Sequence, residues 1–271
     1  MERLIYKELI KWKNDPLRKP MVLQGARQVG KTWILKEFGK NEFHNMLYLN
    51  CDSNPSAAEL FADYDIPRIL RVMSAITNQR IYPEKTLIVL DEIQEAPRGI
   101  TALKYFQENA PQYPVAVAGF LLGMEVHNGT GFPVGKTDEL KLYPMSFTEF
   151  LLALDKAETV AYLREHRWDA YGALSAPLTE LLRQYYYTGG MPEVVDTYVR
   201  TGDLRRVRRV QKRILGGYEK DFSKHAPADQ VPKIHAVWES VPAQLAKENK
   251  KFMYSALKKG ARAKKYERAV L

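Results

Sequence analysis

The sequence contains one cysteine and no long hydrophobic run, and each of these absences excludes a class of protein. With Cys51 alone among 271 residues, the chain forms no internal disulfide framework, which fits a reducing cytoplasm. The longest apolar stretch, 115–124, is too short and too interrupted by glycine to cross a bilayer, so we expect no membrane contact. The first residues also lack the apolar segment of a secretory signal.

Sequence patterns of transition-metal sites are absent as well. The histidines show no ligand spacing with one another or with the cysteine. They are His44, His127, His166, His225 and His235. We therefore interpret each as an ordinary surface or core residue.

Positive charge is concentrated in the last quarter of the chain. The whole sequence carries a net charge of +9, yet residues 201–271 hold 18 Lys and Arg against 7 Asp and Glu, a net of +11. A partner that is attracted by positive charge is expected to bind this C-terminal quarter.

Residues 25–32 match GxxxxGK[ST], the pattern of a phosphate-binding loop. An apolar segment precedes them and a helical pattern follows, so the loop would join a buried strand to a helix N-terminus, where phosphates bind. An incidental glycine loop is the alternative, and this context argues against it. Lys31 would reach the β- and γ-phosphates, and the Thr32 hydroxyl would ligate Mg²⁺. The predicted nucleotide contacts are Gly25, Ala26, Arg27, Gln28, Val29, Gly30, Lys31, Thr32 and Trp33.

A second pattern complements this loop. The run 86–90 is apolar apart from Thr86, as in a parallel strand covered on both faces, and it is followed by Asp91-Glu92. Ligands bind at the carboxyl ends of such strands. Asp91 would hold Mg²⁺, and Glu92 would activate the attacking water. Acidic residues in this place also cap helices, but the loop upstream favours a nucleotide site, and the absence of an NKxD string favours ATP over GTP.

Six strings along the sequence carry a resemblance to a known family. They are LQGARQVGKT (23–32), IVLDEIQEAP (88–97), FPVGK (132–136), LYPMSFTEFLLAL (142–154), GGMPEVV (189–195) and VWESVPAQLAKENKKFMY (237–254). They resemble a prokaryotic family of AAA-superfamily ATPases whose members usually carry a C-terminal domain of unknown function. The resemblance implies an AAA-type core with ATP and Mg²⁺ as ligands, followed by the start of a winged helix. It also implies a further nuclease-like domain, and we expect that this sequence stops before it.

Strands and helices alternate along the sequence, which predicts an α/β fold of the three-layer P-loop NTPase type (AAA/ASCE) with a parallel sheet. The predicted strands are 21–23, 46–50, 86–90, 114–118 and 139–143. Helices predominate after 146, and the polar run 223–232, which contains two prolines, is the predicted domain boundary. The predicted domains are an ATPase core with a helical extension at 1–222 and an incomplete winged-helix-like segment at 231–271.

One position departs from the family pattern. After the fourth predicted strand the family usually has Gly-Ser, whereas this sequence has Gly119-Phe120. The polar side chain commonly acts as a sensor that contacts the γ-phosphate or the attacking water, and phenylalanine offers no hydrogen bond. Two interpretations stay open: hydrolysis is weakened, or a neighbouring group takes this role.

Three polar residues are weaker candidates for a part in catalysis. Lys136 stands where the family has arginine, and it would contact the nucleotide of a neighbouring subunit in a homo-oligomer. Arg27 would instead contact phosphate or a partner from inside the phosphate loop. Gln94 follows Glu92 by two positions and would orient water or start a helix. Ordinary surface contacts are the alternative for both basic residues.

Two basic segments are candidate partner surfaces. The predicted helix 203–216 has an apolar stripe opposite arginines and lysines, with no acid in 205–213. A second cluster, 250–268, lies in the winged-helix-like segment. Nucleic acid or an acidic protein would bind such surfaces, while a solvated face and a lid over the nucleotide are the alternatives.

These patterns lead to two functional hypotheses. In the first, the chain is a Mg²⁺-dependent ATPase that couples its nucleotide state to a DNA or protein partner. In the second, it is a nucleotide-gated binding module that hydrolyses ATP slowly or not at all. Phe120 favours the second hypothesis, and the intact Asp91-Glu92 pair favours the first.

Overall fold

The computed structural model describes residues 1–54, 56–119, 133, 135–165, 171–248, 251–257 and 263–270. They divide into two compact units, Met1–Leu204 and Arg205–Leu271. The first unit contains the predicted α/β fold, and the second is helical in its described residues.

The first unit is built on a sheet of five parallel strands. They are β1 (Met21–Gln24), β2 (Asn45–Asn50), β3 (Thr86–Asp91), β4 (Val115–Gly119) and β5 (Asp138–Lys141). Their order is β2-β3-β4-β1-β5, so β4 separates the strand before the phosphate loop from the strand that ends in the acidic pair. All five predicted strands are confirmed, each within two residues of the predicted ends.

Helices cover both faces of this sheet. They are α1 (Tyr6–Asn14), α2 (Lys31–Glu42), α3 (Ala57–Leu60), α4 (Ile66–Thr77) and α5 (Pro97–Asn109). Successive strand residues point to opposite faces. Val22 and Ile88 therefore pack in one buried cluster with α3, α4 and α5, whereas Leu23 and Val89 pack in another with α1 and α2. The two cores confirm the predicted three-layer arrangement.

A helical segment completes the first unit. Its helices are α6 (Phe147–Ala153), α7 (Ala157–Arg164), α8 (Tyr171–Thr188) and α9 (Pro192–Thr201). The strings 142–154 and 189–195 meet here, because the Met145 N–H donates to the Gly190 carbonyl across 2.6 Å. A Cβ at Gly190 would lie 2.2 Å from the Met145 carbonyl oxygen, so this close approach requires glycine.

The second unit contains α10 (Leu204–His225, which starts at the last residue of the first unit), α11 (Val231–Leu245), α12 (Ala263–Val270) and a short 3₁₀ turn at Tyr254–Ala256. Trp238 joins α11 to α10, since its ring lies 5.8 Å from Tyr218 and 5.3 Å from Phe222. No strand occurs among the described residues of this unit, so the winged helix stays a prediction, as do the predicted domain limits.

In the described parts of both units, each helix is too short or too polar to cross a bilayer.

Candidate nucleotide-binding site

The phosphate loop leaves β1 at Gly25 and enters α2 at Lys31. Gln28 and Gly30 have φ angles of 63° and 97°, in the left-handed region. Left-handed residues next to right-handed ones turn successive N–H groups into a concave nest that binds anions. A Cβ at Gly25 would lie 2.3 Å from the Leu142 carbonyl oxygen, so the first glycine is required by packing. The loop therefore has the backbone shape that a phosphate cradle needs.

Lys31 is buried, and its ammonium group lies inside this loop. Its Nζ donates to the carbonyl oxygens of Gly25 at 2.8 Å and Ala26 at 2.9 Å. Burial lowers the pKa of Lys31, while the negative charges of Glu92 and Asp91 oppose that shift. A cation is thus held where the sequence predicted contact with phosphate.

Asp91 and Thr32 are in direct contact. Asp91, which is 1% exposed, accepts a hydrogen bond from Thr32 Oγ1 on its Oδ2 across 2.6 Å. Its Oδ1 accepts the Glu92 N–H at 3.1 Å. A hydroxyl and a carboxylate are the oxygen ligands that Mg²⁺ prefers, so these residues fit the predicted metal.

Tyr48 is a site residue that sequence reasoning missed. Its hydroxyl donates to Asp91 Oδ2 across 2.8 Å. Burial raises the pKa of Tyr48 to about 12, and the hydrogen bond to Asp91 adds to this shift, so the phenol keeps its proton. The alternation of side chains along β2 could have indicated this position. Leu47 and Leu49 face one core, so Tyr48 faces the opposite side of the sheet, where α2 packs.

Glu92 stands directly after β3 in a left-handed conformation, with φ at 51°. Such conformations are uncommon for residues other than glycine and cluster at functional sites. Gln94, in the following 3₁₀ turn, donates from Nε2 to Glu92 Oε2 across 2.6 Å. A Cβ at Gly119 would lie 2.4 Å from Gln94 Oε1, so glycine at the end of β4 leaves room for this contact.

The weaker candidates have varied surroundings. Lys136 forms an ion pair with Glu108 at 3.0 Å. Arg27 is partly buried in the loop, and its charge lowers the pKa of Lys31. Trp33, on α2, is 47% exposed. Phe120 lies outside the described residues, as do residues 250 and 258–262 of the basic cluster 250–268.

Sequence reasoning also missed Arg3, which precedes α1. Its Nη1 donates to the Val29 carbonyl oxygen in the phosphate loop across 2.8 Å. Nothing in the sequence around Arg3 distinguishes it from a surface arginine, because the contact joins segments far apart in the chain.

Comparison with protein families identifies the segment that carries this site. Residues 17–151 match the family described as an AAA domain. This segment is an AAA domain. Residues 179–271, which follow the AAA domain, match a second family, a domain of unknown function (DUF8612). The predicted P-loop domain of the AAA superfamily is therefore confirmed, while the expected end before a further domain stays a prediction.

A solved structure has a fold similar to that of this chain. The Walker-type ATPase PABY2304 of Pyrococcus abyssi superposes with a TM-score of 0.56 at 14% identity, over 94% of this chain and 86% of that chain. Drosophila ORC bound to DNA gives a TM-score of 0.42 at 17% identity, over 97% and 78%. The Aeropyrum pernix ORC1 protein in complex with DNA gives 0.39 at 15%, over 100% and 77%. The last two scores are too low to support a conclusion about fold or function. No curated protein matches the sequence.

Proposed function

We propose that the AAA domain binds ATP and hydrolyses it in a Mg²⁺-dependent reaction. The observation that carries this proposal is the 2.6 Å contact between Thr32 and Asp91, which joins the phosphate loop to the end of β3. Lys31 lies inside the same loop, and Glu92 follows Asp91 directly. A cation, a pair of metal ligands and a candidate base therefore surround one loop.

Binding of ATP would use the loop amides and Lys31. The ammonium group would exchange its hydrogen bonds to the Gly25 and Ala26 carbonyls for bonds to the β- and γ-phosphates. Thr32 and Asp91 would hold Mg²⁺, which would neutralise charge on the phosphate oxygens. The buried position of Asp91 keeps water away from its carboxylate, which strengthens its interactions.

The chemical step would be the attack of water on the γ-phosphorus, in line with the bond to the leaving ADP oxygen. Glu92 orients this water and accepts its proton. Gln94 holds the Glu92 carboxylate through its 2.6 Å hydrogen bond, which restricts the direction from which that carboxylate reaches the water. Lys31 stabilises the charge that develops on the departing oxygens.

The variant Glu92→Gln tests this assignment. We expect at least about 100-fold slower turnover with ATP affinity retained, since the amide keeps the shape and loses the base. Glu95→Gln, an exposed acid in the same turn, is the matched control and should behave as the unmodified chain. Unchanged hydrolysis in Glu92→Gln removes Glu92 from this role.

A second candidate function is a nucleotide-gated binding module. It is favoured by α10, on which Val207 and Ile214 are buried while Arg208, Arg209 and Lys212 are exposed. A helix face of this charge supports binding of nucleic acid or of an acidic protein, to which the cluster 250–268 would add. Turnover that appears only in Phe120→Ser would favour this module over the ATPase, whereas turnover already present in the unmodified chain would contradict it.

Two further parts of the proposal concern the setting of the protein. A homo-oligomer would bring Lys136 to the nucleotide of a neighbouring subunit, while Arg27 would contact phosphate or a partner from inside the phosphate loop. A cytoplasmic location is supported by the single buried thiol, Cys51.

A further inference from the structure

Arg3 is a buried arginine that joins three separate segments of the first unit. It is 6% exposed. Its guanidinium donates to the Val29 carbonyl oxygen at 2.8 Å, to the Tyr143 carbonyl oxygen at 2.6 Å and to Glu149 Oε1 at 2.9 Å. The phosphate loop, the segment after β5 and α6 therefore share one cation.

The bond to Val29 acts on the phosphate loop through its peptide geometry. The Val29 carbonyl and the Gly30 N–H belong to one trans peptide, in which the two groups point in opposite directions. Arg3 therefore fixes the Gly30 N–H on the side away from the guanidinium. A Cβ at Gly30 would lie 3.7 Å from Arg3 Nη1, so the guanidinium packs against the loop at this residue. The Gly30 N–H is one of the amides that the loop would offer to phosphate.

Glu149 in turn fixes the guanidinium. Its Oε1 accepts hydrogen bonds from Arg3 Nε and from the Leu4 N–H at 2.8 Å, and its Oε2 accepts the Ser146 N–H at 2.8 Å. Ser146 Oγ accepts the Glu149 N–H at 3.2 Å, which completes the capping box of α6. Both carboxylate oxygens are thus engaged, and the ion pair has one geometry.

A contribution to folding stability is a weak explanation for the buried ion pair between Arg3 and Glu149. An apolar pair of similar volume often stabilises a core as well or better, because two charges lose their hydration on burial. What an apolar pair lacks is a directed hydrogen bond to Val29. The hydrogen bond to the Val29 carbonyl therefore indicates that Arg3 positions the phosphate loop, rather than only stabilising the fold.

We propose that Arg3 is a positioning residue of the nucleotide site, which holds the Val29–Gly30 peptide in the orientation that presents the Gly30 N–H to phosphate, and that Glu149 sets its guanidinium. This proposal rests on nucleotide binding by the loop and is independent of hydrolysis. It gives the string 142–154 a role at the nucleotide site, because that string contributes both Tyr143 and Glu149.

The test is ADP affinity, measured by titration calorimetry in three variants of the full chain. Arg3→Met/Glu149→Gln removes the bond to Val29 without leaving an unpaired buried charge, and we expect about ten-fold weaker ADP binding. Glu149→Gln alone keeps Arg3 and an amide oxygen that can accept its Nε–H, so we expect a smaller loss of ADP affinity than in the double variant. Arg3→Lys keeps one donor for Val29 and should give an intermediate affinity, which also serves as the test if the double variant does not fold.

A control separates this effect from general destabilisation. Ile69 lies in the core on the opposite side of the sheet from α2. The variant Ile69→Ala should lower the stability of the fold without changing a contact of the phosphate loop. Its ADP affinity should equal that of the unmodified chain. An equal loss in Ile69→Ala, or a folded double variant that binds ADP as the unmodified chain does, would overturn the proposal. An unmodified chain that binds neither ADP nor ATP would overturn the proposed function as well, whereas binding without turnover would overturn hydrolysis alone.

Discussion

Tyr48 donates a hydrogen bond to Asp91 across 2.8 Å, on the same carboxylate oxygen that accepts the Thr32 hydroxyl at 2.6 Å. Tyr48 comes from β2 and Thr32 from α2, so two elements hold one side of the acid at the end of β3. The ring of Tyr48 is itself held, because Lys36 Nζ lies 3.9 Å from its centroid. The position of the predicted metal ligand therefore depends on a strand that carries neither nucleotide motif.

Tyr48→Phe is expected to weaken Mg²⁺-dependent ATP binding. Loss of a hydrogen bond that orients a metal ligand typically lowers metal affinity by about ten-fold. The measurement is ATP affinity over a Mg²⁺ titration and again in EDTA, where the variant and the unmodified chain should agree. Tyr82→Phe, a partly exposed tyrosine before β3, is the control. A loss of equal size in EDTA would assign Tyr48 to folding rather than to the metal site.

Gly119→Ala is expected to slow turnover more than it weakens ATP binding. The added methyl group would lie 2.4 Å from Gln94 Oε1, so Gln94 must move and its hydrogen bond to Glu92 is disturbed. We expect about ten-fold lower kcat with little change in ATP affinity. Gly216→Ala adds the same methyl group where no atom lies within 4 Å, and it should leave kcat unchanged. Equal kcat values for the two variants would contradict the role of the Gln94 contact.

Cys51 is expected to resist alkylation in the folded protein. It is 4% exposed, and burial together with the charges of Asp91 and Glu92 raises the pKa of its thiol to about 12. A pKa above the ordinary value lowers the thiolate fraction at pH 8, and the thiolate is the reactive species. Iodoacetamide labelling at pH 8 should be at least about 100-fold slower than in guanidinium chloride. Equal rates in the two solvents would contradict this burial.

Neutralising the exposed face of α10 is expected to change the salt dependence of DNA binding. The triple variant Arg208→Gln/Arg209→Gln/Lys212→Gln removes three positive charges, and each charge in contact with phosphate contributes about 0.9 to the slope of log affinity against log salt. The slope for duplex DNA should therefore fall by about three. The control is Lys7→Gln/Lys40→Gln/Lys85→Gln, which removes the same charge from exposed positions of the first unit. No binding of the unmodified chain at low salt would remove nucleic acid as the partner.

The elements of the sheet were predictable because their signals are local. Apolar runs such as 86–90 and 115–118 are long enough to specify buried strands, and the glycines of 25–32 specify the loop. Lys31, Thr32 and Asp91 follow from these two patterns, and the contact between Thr32 and Asp91 follows from the parallel arrangement.

The residues that were missed depend on contacts between distant segments. Tyr48 reaches Asp91 only because β2 lies next to β3, and Arg3 reaches Val29 from outside every motif. Ser146 and Glu149 match the sequence pattern of a capping box, which indicates a helix start. That pattern does not predict an arginine partner for Glu149. Long-range pairs of this kind leave no periodic signal in one sequence.

The predicted end of the helix 203–216 was also wrong, for a different reason. The predicted helix stopped at 216, where two glycines lower helix propensity, whereas α10 extends to His225. Tyr218 and Phe222 pack on Trp238 of α11, and this tertiary contact outweighs the local preference. Part of the predicted boundary run 223–232 is therefore helical.

Steady-state ATP hydrolysis by the unmodified chain, with Mg²⁺ and with EDTA, tests the central claim most directly when it is measured beside Lys31→Ala. The account predicts turnover that requires Mg²⁺ and that is lost in Lys31→Ala, since this ammonium group is the cation inside the phosphate loop. Turnover that persists in Lys31→Ala, or no turnover by the unmodified chain despite bound ATP, would contradict it.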